Sequence, residues 1–164
     1  TWDMNTNEIT IFTDGSSKGN PGPGGWAAII KRPTTNNRQL TTEIGGKVGH
    51  TTNNRMELTA AIEALKKLTT YNLQPTTKIK IYSDSKYLLD GITKWIQGWQ
   101  RNGWRTKDKK DVLNRDLWET LDQLRTGKNI EWRYIAGHVG HPENERCDVI
   151  AQAFAEGRRP KLIL

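Results

Sequence analysis

The stretch NNRMELTAAIEALKKL, Asn53 to Leu68, with KIKIYSD from Lys78 to Asp84 behind it, decides the fold. Leu58, Ala61, Ile62, Leu65 and Leu68 recur at helical spacing, which predicts an amphipathic helix over 53–68. Ile79 and Ile81 then alternate with polar residues, so a short strand is expected. Upstream lie three β-like runs. EITIFTD, from Glu8, puts Ile9 and Ile11 on one face and Thr10 and Phe12 on the other. GWAAIIKR and QLTTEIGGKV follow, separated from it and from each other by the turn GNPGPGG and the polar loop PTTNN. Downstream, SKYLLDGITKWIQGWQ reads as a helix broken near Gly91, and RDLWETLDQLRTG as a helix closed by Gly127. NIEWRYI is a strand, and PENERCDVIAQAFAEG a last helix with Cys147, Ile150, Ala151 and Phe154 on one face. The order β-β-β-α-β-α-α-β-α is that of an α/β fold. Hairpins followed by crossovers imply one mixed five-stranded sheet with helices on both faces. Residues 8–157 form the expected domain, with 1–7 as a leader and 158–164 as a tail, both read as loose ends.

Composition narrows the function. The chain has 164 residues, 25 Lys plus Arg against 18 Asp plus Glu, and a net charge of +7. A single cysteine excludes a disulfide framework and a cysteine-based zinc site. No apolar run approaches the ~20 residues of a membrane span, and no secretory core opens the chain. A cytoplasmic, monomeric protein without membrane contact is expected. The basic balance and seven tryptophans point to a polyanionic partner.

Four acids occupy telling positions. Asp14 ends the first strand and Asp84 the fourth, and ligands of α/β sheets collect beyond the carboxyl ends of strands. Glu57 and Asp148 flank the apolar stripes of their helices near the helix starts, while Glu63 and Glu145 face away. Capping offers a simpler use for them: Asn54 to Glu57 fits a capping box, and Ser83 or Asp84 could cap the next helix. Caps do not account for acids at the ends of two central strands. Carboxylates brought together repel unless a cation intervenes. Hard oxygen donors select Mg²⁺ or Mn²⁺ over zinc. Two such ions ~3.5–4 Å apart form the device of phosphodiester cleavage.

FTDGSSKGNPGPGGWAAII, TTNNRMELTAAIEAL, IYSDSKYLLDGITKWI and GHVGHPENERCDVIAQ, in this order, resemble type 1 ribonuclease H of the bacterial kind. The similarity runs in register from about Ile9 to Phe154 and implies the ribonuclease H-like fold. It implies hydrolysis of the RNA strand of RNA–DNA hybrids with two Mg²⁺ ions, or Mn²⁺ in their place, leaving 5′-phosphate and 3′-hydroxyl ends. The family's metal-binding catalytic acids fall on Asp14, Glu57, Asp84 and Asp148. By the same resemblance Asp14 bridges the ions, Asp84 helps hold the water-activating one, and Glu57 with Asp148 holds the other. His138 matches a mobile proton-transfer histidine. The resemblance also puts the backbone near Asn20 along the RNA minor groove and Thr52, Asn53 and Asn54 at a DNA phosphate, with both asparagines near the minor groove. Ala136 departs from the lysine frequent at this place in bacterial relatives.

Other features sort more simply. Gly22 to Ala27 loosely matches a dinucleotide fingerprint but leads into a strand, so no helix N-terminus awaits a pyrophosphate. His138, His141 and Cys147 lack the fourth soft ligand and the spacing of a zinc site. From Lys94 to Arg115 seven basic residues, Lys107, Lys109 and Lys110 among them, meet two acids, Asp108 and Asp111. Trp95, Trp99 and Trp104 interleave with them. Residues alone leave this stretch divided between a solvated, packed face and a nucleic-acid grip; the resemblance makes it the basic protrusion that holds the DNA strand. Alternatives are the nuclease domain of a reverse transcriptase, a non-catalytic hybrid-binding module, and a transposase-like strand-transfer domain. The acids argue against the non-catalytic module, since all four are present.

Overall fold

The computed structural model describes residues 8–34, 38–136 and 141–164. Strands β1 (Glu8–Ser17), β2 (Gly22–Pro33) and β3 (Gln39–Thr51) are followed by helix α1 (Asn53–Leu68) and strand β4 (Lys78–Ser83). Helices α2 (Lys86–Asp90), α3 (Ile96–Arg101) and α4 (Arg115–Arg125), strand β5 (Asn129–Tyr134) and helix α5 (Pro142–Ala155) complete the chain. The five strands lie in the order β3-β2-β1-β4-β5. The hairpin strands β1, β2 and β3 pair antiparallel, and β1–β4 and β4–β5 pair parallel. The expected mixed sheet is therefore present, and the parallel strands β1 and β4 set their carboxyl ends side by side.

Strand alternation divides the core between the two faces. Ile9, Ile11, Ala28, Ile30, Ile79 and Ile81 pack with Leu58, Ile62 and Leu65 of α1 and with Leu88, Ile92, Trp118 and Leu121 beyond. The opposite face carries Ala27 and Ile29 against Cys147, Ile150 and Ala151 of α5, with Phe12 and Phe154 at the edge. The helix expected to break near Gly91 does not stop there. Gly91–Trp95 forms a π-helical turn between α2 and α3, so the phase shifts while the rod continues.

The tail is not a loose end. Glu43, on the edge strand β3 and only 3% exposed, accepts two hydrogen bonds from Arg146 of α5, at 2.8 and 3.0 Å. Arg146 also donates to the Lys161 carbonyl at 2.7 Å. The Ile163 N–H donates to Glu43 Oε1 at 3.0 Å, and the Glu43 N–H to the Ile163 carbonyl at 2.6 Å. Leu162 packs on the α5 side of the sheet. One buried carboxylate thus ties the edge strand, α5 and the tail together. The Arg146 hydrogen bonds hold its carboxyl below the usual range, so this stabilisation is present above that range and lost as pH falls through it. Removing residues 161–164 is expected to cost about 2 kcal/mol, and Glu43→Ala somewhat more. Because they share one network, the double change costs less than the sum, which urea unfolding of the three variants checks.

Candidate active site

Three of the four acids meet at one end of the sheet. Asp14 lies within β1, not at its end as expected: pairing with β4 stops at Phe12–Tyr82, and β1 runs on to Ser17 along β2 alone. Asp14 therefore still stands just past the carboxyl end of the parallel pair. Asp84 follows the last residue of β4. Glu57 comes from the second turn of α1, which sits against β1 at Gly15 with no spare room. A Cβ on Gly15 would lie 2.3 Å from the Met56 carbonyl carbon and 2.4 Å from the Glu57 nitrogen. One carboxylate oxygen from each of Asp14, Glu57 and Asp84 falls within 4.8 Å of the others.

None of these acids is used as a helix cap. The N-cap of α1 is Thr52, whose hydroxyl accepts from the Arg55 N–H at 3.2 Å, so the expected Asn54–Glu57 box does not form. Ser85 caps α2 through the Leu88 N–H, and the Ser83 hydroxyl accepts from the Ser85 N–H. The cap is one residue beyond the two candidates, and Asp84 is spared for other work.

Electrostatics makes the cluster costly without a cation. Burial first, then the Asp84 carboxylate and more weakly that of Asp148, pushes the Asp14 carboxyl up to about 8, against relief from Glu57 and, less, from the Gly15 N–H at 2.9 Å. Burial raises Glu57 well above its ordinary value, with Asp14 and Asp84 adding to it. Glu57 Oε1 is buried with no hydrogen-bond partner. An orphaned buried oxygen among crowded carboxylates fits a hard divalent cation, and the donor set is all oxygen.

Asp148 does not join this group at the same spacing. Its Oδ2 accepts from the side chain of Gln152, one turn on along α5, at 2.9 Å. His138 lies outside the described residues.

The polar residues expected near the substrate converge beside the acids. The Asn53 N–H donates to Asn20 Oδ1 at 3.0 Å, which joins the turn after β1 to the start of α1. Ser17 donates to Asn53 Oδ1 through its N–H at 2.8 Å and its hydroxyl at 3.0 Å. Ser17 is a site neighbour that sequence reasoning missed; its only signal was a hydroxyl three residues after Asp14. Asn54 is exposed next to them.

On the far side of α1, Trp95, Trp99 and Trp104 form a row, with centroids 5.9 and 6.2 Å apart. Trp99 and Trp104 lean on the core, whereas Trp95 is 40% exposed. A cleft of about 460 Å³ opens against Trp95 and Trp99, lined also by Lys94, Arg105, Lys107 and Asp108. Lys109 and Lys110 are exposed on the adjoining turn, which closes through the Thr106 N–H to the Lys110 carbonyl at 2.8 Å. Packing and exposure thus coexist in one segment.

A family model described as RNase H matches residues 6–156. The chain belongs to the RNase H family. The ribonuclease H of Pelobacter propionicus is 52% identical over 154 residues, covering 93% of this chain and 88% of that relative. The ribonuclease H of Chelativorans is 51% identical over 145 residues, 88% of this chain and 83% of its own. Among solved structures, LC9-RNase H1, described as a type 1 RNase H with the type 2 active-site motif, superposes with a TM-score of 0.84. It is 29% identical and covers 99% of this chain and 79% of its own. The chain is thus a ribonuclease H with the expected fold. Among the described residues, no helix is long and apolar enough to cross a membrane.

Proposed function

We propose that this RNase H hydrolyses the RNA strand of RNA–DNA hybrids, leaving 5′-phosphate and 3′-hydroxyl ends. Two divalent ions, Mg²⁺ with Mn²⁺ as a substitute, would be held by Asp14, Glu57, Asp84 and Asp148. The observation that carries this is the meeting of Asp14, Glu57 and Asp84 within 4.8 Å, with Glu57 Oε1 buried and unpartnered. When bound, the two ions supply an activated water and stabilise the leaving oxygen. Asp14, which packs closely enough to both Glu57 and Asp84 to share a cation with either, would be the ligand common to both ions. Asn20, Asn53, Asn54 and Thr52 would seat the minor groove and a DNA phosphate beside the acids, where 2′-hydroxyls distinguish RNA from DNA. His138 would move a proton near the departing product, as a side chain titrating near neutrality can. LC11-RNase H1, a structural neighbour, is described in complex with an RNA/DNA hybrid. The reading extends to a monomer in the cytoplasm, where the single free thiol of Cys147 is at home. Incubating a labelled hybrid, duplex RNA and duplex DNA with Mg²⁺ is the test. Cleavage confined to the RNA of the hybrid supports the proposal, and equal cleavage of either homoduplex sinks it.

The basic arm would grip the DNA strand through Lys107, Lys109 and Lys110, with Trp95, Trp99 and Trp104 as its floor. Converting the three lysines to Ala should raise KM and leave kcat at saturating hybrid nearly unchanged. The log–log salt slope of binding should become shallower by about 0.7–0.9 for each phosphate no longer neutralised. An unaltered slope would reduce these lysines to a solvated face.

A further inference from the structure

The helix that carries Asp148 is tied to the sheet at its start and along its length. At the start of α5, Lys31 of β2 pairs with Glu143 at 2.5 Å, and Glu43 of β3 holds Arg146. Along its length the helix presses on β2 so closely that a Cβ on Gly25 would stand 2.1 Å from the Ala151 carbonyl oxygen. A helix held in this way leaves the rotation of the Asp148 side chain as the readiest adjustment toward a shared ion. Among the described residues its hydrogen-bond partner is the Gln152 amide, at 2.9 Å from Oδ2. The carboxylate meanwhile stands outside the group formed by Asp14, Glu57 and Asp84.

We propose that Gln152 is a positioning residue for the second metal ligand: by donating to Oδ2 it fixes the rotation of Asp148 and leaves Oδ1 to ligate. The inference rests on the metal-binding role proposed for Asp148. Ligating carboxylates depend on such outer partners, and losing one typically weakens metal binding by ~10–100-fold. An i,i+4 amide–carboxylate pair with no such role would contribute only a little helix stability.

Gln152→Leu keeps the bulk and removes the donor; Gln152→Ala serves as a second variant with a strong helix former. In both, the Mg²⁺ concentration for half-maximal hybrid cleavage should rise about tenfold, while the rate at saturating Mg²⁺ and KM for hybrid stay near the parent's. Mn²⁺ binding to the free proteins, followed by electron paramagnetic resonance, should weaken in parallel, and thermal unfolding should change little. A parental Mg²⁺ midpoint and parental Mn²⁺ affinity in both variants would overturn the role of Gln152. Asp148→Asn with parental Mn²⁺ binding and parental cleavage would overturn the ligand reading beneath it, and the inference with it.

Discussion

Asp14→Asn is expected to lower hybrid cleavage at least about a thousandfold, a barrier increase of roughly 4 kcal/mol, while hybrid affinity stays close to parental. The substitution removes a charged ligand at the centre of the acid cluster and leaves the shape of the binding face unchanged. Its effect on the metal-free fold has the opposite sign. The folded Asp14 carboxyl is pushed up to about 8 from an ordinary 3.8, by burial first and by Asp84 second. Between those values the folded chain holds a proton that the unfolded chain does not, so metal-free stability falls as pH rises through that window. Asparagine has no such proton to lose. The variant should therefore unfold later than the parent in chelator, by a margin that grows from pH 4 to pH 8 and reaches a few kcal/mol. Adding Mg²⁺ stabilises the parent more than the variant and should shrink that margin. Denaturation at pH 5 and pH 8, with EDTA and with Mg²⁺, reads all four corners. A margin that narrows toward pH 8 in chelator would contradict the electrostatic account of the cluster.

Gly15→Ala should be nearly as damaging, by a different route. The added methyl would meet the α1 backbone at 2.3 and 2.4 Å, and main chain cannot rotate away as a long side chain can. Strand and helix must part at the point where one supplies Asp14 and the other Glu57. Overpacking of a tight contact costs typically ~1–3 kcal/mol, and the displacement falls directly on two ligands. Cleavage should drop by about a hundredfold or more, since small misplacements of reacting groups cost that much. The loss should persist at high Mg²⁺ if the ligands no longer converge. Thermal unfolding and a Mg²⁺ titration of cleavage, run together, separate lost stability from lost geometry. Parental values in both would mean that α1 does not need its close approach to β1.

Sequence pattern carries most of this architecture, because each buried face leaves a periodic trace. Helix α1 runs over the residues that its spacing of Leu58, Ile62 and Leu65 predicts, and Ile79 and Ile81 mark β4 directly. What pattern misses depends on contacts distant in sequence or on one residue of local geometry. Glu43 looks like any polar residue on an edge strand until Arg146, over a hundred positions away, and the chain end close over it. The tail RRPKLIL has no periodicity, so its docking had no trace to follow. The caps were displaced by a residue or two, to Thr52 and Ser85, because Ser, Thr, Asn and Asp compete on nearly equal terms for an N-cap. At the site, strand ends and helix flanks single out Asp14, Glu57 and Asp84, since topology alone brings those positions to one edge. The separate stance of Asp148 leaves no periodic trace, and only its Gln152 partner, four residues on, stands at a visible spacing.

The central claim is that this cluster is neutralised by protons in the free protein and by divalent cations in the working enzyme. Proton release on adding Mg²⁺ at pH 7, measured in weak buffer by potentiometry, tests it most directly. With Asp14 raised to about 8 and Glu57 raised well above its ordinary value, metal must displace bound protons in order to ligate. The account predicts release of about one to two protons per protein at saturation, and clearly fewer from Asp14→Asn. Saturable Mg²⁺ binding with no proton released, or the same release from the Asn variant, would contradict it.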